Sequence, residues 1–135
     1  DWADAPGAET AAATALAAPL LKAQCHCRAC QHITGGAPNY FMLMPGQGFR
    51  WMQGEPKSFT KPDKENAVTR YFCPTCGTHM TTQRPGLDAV ILKVGTLDEP
   101  AQFGGPMIAI FTEEEQAFHL VPQGMPKFDK LPPQR

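Results

Sequence analysis

Apolar residues come in short runs broken by glycine and proline, with no long stripe of helical period. Runs at residues 20–24, 39–44, 49–52, 78–82, 89–94 and 107–111 are strand-sized, and each ends at a turn signal such as Pro45-Gly46 or Gln53-Gly54-Glu55-Pro56. Residues 58–60 and 67–72 read as a strand pair around the charged loop 61–66, and the second delivers the chain to Cys73. Residues 113–117 predict one helical turn, with acids at the end where the helix dipole favours them. Alanine-rich residues 8–18 predict either a helix or a weakly packed appended arm, and residues 122–128 an extended, proline-pinned tail. The pattern predicts a mainly β single domain with short helical turns, divided into an arm at 1–18 and a folded unit at 19–135.

Composition narrows the partners. The chain has 135 residues, enough for one domain with a modest core. A net charge of −1 advertises no broad basic surface, so nucleic acid and anionic membranes are not expected partners. No apolar run reaches the roughly 18 residues of a membrane span, and the acidic start, Asp1-Trp2-Ala3-Asp4, is unlike a secretory signal. Fourteen prolines and twelve glycines favour strands and turns over long helices.

The chemistry is concentrated in five cysteines. Cys25, Cys27 and Cys30 fall within six residues, and Cys73 and Cys76 form a later C-x2-C. An odd number clustered as three plus two points to metal ligands in a reducing compartment, which makes the cytoplasm the expected location. Thiolate sulfur suits zinc. Four protein ligands close a structural site, whereas three leave a catalytic position open. Three partitions follow: an open site at Cys25, Cys27 and Cys30; a closed site using two of these with Cys73 and Cys76; or no metal.

The ordered runs CHCRACQHITGGAP, FRWMQGEPKSF, RYFCPTCGTHM, VGTLDEP and PQGMPKF resemble the glutathione-dependent formaldehyde-activating enzyme family, which also includes centromere protein V. The resemblance implies an Mss4-like (β-tent) fold over residues 19–135 and a zinc ion at Cys25, Cys27 and Cys30, through which those residues would act in catalysis. It also implies a carbon–sulfur lyase activity that joins formaldehyde to glutathione as S-hydroxymethylglutathione, with a small-molecule thiol as the partner. Family members carry an earlier C-x-C that joins the late C-x2-C around a second zinc. Residues 1–18 contain no cysteine or histidine, so Cys73 and Cys76 lack those partners. The alternative function is a binding or scaffolding module in which zinc only staples the fold. A methionine sulfoxide reductase B relation is set aside, because no thiol follows Cys76.

Other residues have plainer expectations. His26, between two ligands, is expected to face solvent, and His32 to lie on the surface. His79 is expected as a hydrogen-bonded sheet residue, with completion of a site at Cys73 and Cys76 as its alternative, and His119 as structural. Residues 34–36 read equally as a plain turn or as backbone N–H groups offered to a carboxylate. Phe41, Trp51, Phe59, Tyr71 and Phe72 are expected in the core, with Met42 and Met44 as adaptable packing.

Overall fold

The computed structural model describes residues 12–15 and 18–133. Among the described residues nine strands follow in order: β1 (Ala12–Ala15), β2 (Leu21–Cys25), β3 (Asn39–Pro45), β4 (Phe49–Gln53), β5 (Lys57–Thr60), β6 (Thr69–Phe72), β7 (His79–Gln83), β8 (Ala89–Lys93) and β9 (Ile108–Ile110). One α-helix, α1 (Arg28–Thr34), interrupts them, with single 3-10 turns at Val94–Thr96, Pro100–Phe103 and Thr112–Glu114. The mainly β class with short helical turns is what the alternation predicted, and it is consistent with an Mss4-like fold.

Seven strands form one sheet in the order β5-β6-β7-β8-β3-β2-β9, and β1 pairs with β4 in a separate two-stranded ribbon. The pairing of β1 corrects the helix expected over 8–18 at residues 12–15; the segment up to residue 11 and residues 16–17 lie outside the described residues. Ala-Ala-Thr-Ala has high helix propensity, but a four-residue stretch that gains a strand partner is decided by pairing. All neighbours in the large sheet are antiparallel except β2 and β9, which run parallel with Ala23 opposite Ile108 and Cys25 opposite Ile110. Beyond β9 the tail does not hang free. Ala109 donates to Pro126 O, Phe128 to Ala109 O and Phe111 to Lys130 O, each at 3.0 Å, so the tail covers the sheet edge.

Alternation along the strands separates two cores. One face carries Ala23, Cys25, Phe41, Ile91 and Ile110, covered by Cys30 from α1 and by Phe111 and Phe128. The other carries Met42, Met44, Leu92 and Val94 against Phe103, where the two methionines are packing as expected. Phe41 is buried, while Trp51 packs on Cys73 and Met80 in a third, smaller cluster. Phe59 departs from its expected core place: it is 55% exposed, because β5 is an edge strand with every residue facing solvent. Tyr71 and Phe72 are half-buried.

Candidate metal centre

The triplet begins as a strand and ends as a helix. Cys25 is the last residue of β2, held between Asn39 of β3 and Ile110 of β9. Cys27 is the N-cap of α1: its backbone is extended (φ −64°, ψ 152°), and its sulfur accepts the Cys30 N–H at 3.3 Å. Sulfur thus satisfies one of the orphan donors at the helix start, as a serine or aspartate oxygen otherwise would. One helical turn returns Cys30 to the same side. The three sulfurs lie within 4.8 Å of one another, with Cys25 and Cys30 buried and Cys27 half-buried. A tetrahedral zinc with bonds of about 2.3 Å needs sulfurs roughly 3.8 Å apart, so this donor set fits a thiophilic ion. Three close cysteines of this kind can hold a metal ion.

The thiols are strongly coupled. Cys27 is held down to about 2 by the S–H bonds from Cys25 and Cys30, helped by the Cys30 N–H and the Arg70 guanidinium and opposed by burial. Cys25 is driven far above the thiol range by its bond to Cys27, then by its bond to Cys30 and by burial. Cys30 is lowered by its bond with Cys25, but its bond with Cys27 and its burial outweigh that and set it at about 11. One negative charge, centred on Cys27, is shared by three sulfurs.

The residue between the first two sulfurs points inward, not to solvent. His26 is fully buried, correcting the surface expectation. His119 Nε2 donates to Gly36 O at 2.7 Å, and its Nδ1 accepts the Gln116 N–H at 3.1 Å. His26 Nδ1, 3.0 Å from that same Nδ1, must therefore be the donor, and His26 Nε2 accepts from Gln24 Nε2 at 2.9 Å. The pattern uses one nitrogen of each ring as donor and the other as acceptor. Burial, then the neighbouring His119, lowers the His26 pKa. Gln31 of α1 adds bonds to His26 O at 2.8 Å and Glu114 O at 2.9 Å, so the cysteine loop is tied to the 114–120 segment from two sides. His119 is structural, as expected, and His32 is exposed.

The Gly35-Gly36 turn is a helix stop. Gly35 adopts the left-handed conformation (φ 83°), and both its N–H and that of Gly36 point to Gln31 O. Those amides are engaged, so the plain-turn reading holds and the carboxylate reading does not.

Cys73 and Cys76 form a separate tight loop. Cys73 N–H donates to Thr78 O and Gly77 N–H to Cys73 O, both at 2.8 Å. Cys73 is buried against Met80 and Trp51, while Cys76 is exposed, its sulfur 3.0 Å from Thr78 Oγ1. Among the described residues no third histidine, cysteine or carboxylate joins them in a metal-sized group. His79 is a sheet histidine whose Nε2 donates to Thr81 O at 3.2 Å; burial, then the charges of Lys93 and Arg70, lowers it to about 4. No disulfide links any of the five cysteines.

Sequence reasoning passed over Lys93 and Arg70. Lys93 closes β8 and is only 7% exposed; burial brings it down to about 8, while the Cys30, Cys25 and Cys27 charges pull the other way. A lysine inside the run Val90-Ile91-Leu92-Lys93-Val94 was the available signal.

A sequence profile described as glutathione-dependent formaldehyde-activating enzyme matches residues 9–114, most of the chain and all five cysteines. The chain belongs to that family. A search of curated proteins returned no match. Membership in the glutathione-dependent formaldehyde-activating family implies a small-molecule substrate related to glutathione. No helix among the described residues is long and apolar enough to cross a membrane.

Proposed function

We propose that the protein is a zinc-dependent carbon–sulfur lyase that joins glutathione to formaldehyde as S-hydroxymethylglutathione, or carries out a closely related thiol-adduct reaction. Cys25, Cys27 and Cys30 hold the zinc, with one coordination position left for substrate. Cys73 and Cys76 remain outside that centre, and the cytoplasm is the reducing setting in which such thiols persist. The observation that carries this reading is the three-sulfur group itself, with no fourth ligand-type side chain in it among the described residues.

Zinc bound there would keep the sulfur of a substrate thiol deprotonated at neutral pH. The substrate thiolate attacks formaldehyde carbon, a C–S bond forms, the carbonyl electron pair moves to oxygen, and a proton from solvent completes the hydroxymethyl group. The chain's part is to hold and orient. Cys27, the half-buried sulfur, is the accessible one, while Phe41 and Ile91 bury Cys25 and Cys30 in one apolar cluster. The His26–His119 pair fixes the loop between the first two ligands.

Cys27→Ser should lose both bound zinc and adduct formation above the uncatalysed rate, read by metal analysis and by the rate of S-hydroxymethylglutathione formation. Full activity in that variant overturns the proposal. X-ray absorption showing four protein donors on the zinc would instead favour the stapled-scaffold function.

A further inference from the structure

Strand register places two cations on the same sheet face as the sulfurs. Arg70 lies opposite Thr82 and Thr82 opposite Ile91, and Lys93 follows two residues on, facing the same way. Lys93 lies opposite Phe41 and Phe41 opposite Ala23, with Cys25 two residues beyond Ala23. Lys93 is buried and Arg70 half-buried, and the Arg70 guanidinium is close enough to Cys27 to favour its thiolate. No carboxylate is among the groups that act on Cys27, Lys93 or His79. The single ion pair among the described residues, Lys127 with Glu115, lies elsewhere.

A buried cation requires a compensating anion. Three thiolates around a divalent ion would leave one negative charge against the two cations, so the pair keeps one positive charge in excess, and the planar fork of Arg70 matches a carboxylate.

We propose that Arg70 and Lys93 form an anion subsite beside the three sulfurs, and that it takes the carboxylate of a substrate bound through its thiol. The inference rests on the thiol-binding reading above and adds the charge class of the substrate and the residues that select it.

The test uses cobalt(II) in place of zinc and reads the thiolate-to-metal absorption as glutathione or its diethyl ester is added. The two share a thiol and differ in carboxylate charge. The native protein should bind glutathione about tenfold more tightly than the ester, the worth of a charge-assisted hydrogen bond. Arg70→Gln and Lys93→Met should each bring that ratio toward one, and Arg70→Lys should restore most of it. A ratio, unlike an affinity, is not moved by a general loosening of the metal site. Equal binding of both thiols by the native protein, or an undiminished preference in both neutral variants, overturns the subsite and leaves the thiol reading standing. If neither thiol changes the cobalt spectrum, the thiol reading fails and the subsite falls with it.

Discussion

At Cys27 one sulfur carries the charge for three. Its neighbours hold their protons because each donates to it, and burial makes a second or third thiolate costly until a cation arrives. In the proposed zinc site, metal binding would therefore expel the protons of both Cys25 and Cys30, whereas Cys27 would have none to lose. Calorimetry in buffers of different ionisation enthalpy should show about two protons released per zinc at neutral pH; release of three would mean that Cys27 is an ordinary thiol. The clustering of the three sulfurs was legible in the spacing of the cysteines. Their unequal protonation was not, because it depends on which sulfur caps the helix and which are enclosed.

That helix is the element the sequence concealed. Arg28–Thr34 carries no apolar stripe of helical period, and cysteine and threonine are indifferent helix formers. The cap at Cys27, the Gln31 bonds to His26 and Glu114, and the left-handed Gly35 define it, and of these the bond to Glu114 is tertiary. Gly35→Ala meets no atom within 4 Å of the added methyl group, so its cost is the backbone conformation alone. A loss of about 1 kcal/mol is expected in urea unfolding. A neutral result would show that the chain can leave the helix by another route. Strands were more legible: each of the seven in the large sheet falls on a predicted run within a residue or two, since period-two alternation between glycine and proline stops is a local signal. The short β1 was misread because its alanines carry no such alternation.

For the molecule as a whole, pairing partners are set by long-range packing, so neither the parallel β2–β9 contact nor the buried histidine pair could be read from local pattern. Stability inherits this in its pH dependence. His79 has a folded pKa near 4, below the 6.5 of the unfolded residue, so between these values the unfolded chain binds the extra proton. Its contribution is complete above about pH 6.5 and is lost as pH falls toward 4, on the order of 2 kcal/mol. Denaturation midpoints measured across that range should fall with pH, and His79→Gln should flatten part of the slope, the rest belonging to His26 and to Cys27, both lowered in the folded chain. A slope unchanged by the substitution would place the effect elsewhere. The parallel contact bears also on the order of events during synthesis. Cys25 leaves the ribosome well before β9, the strand that flanks it on one side, and residues 126–130 seal that strand in turn. The nascent chain thus carries its sulfurs uncovered until residues 126–130 have emerged, and in that interval it is most open to oxidation or to the wrong metal.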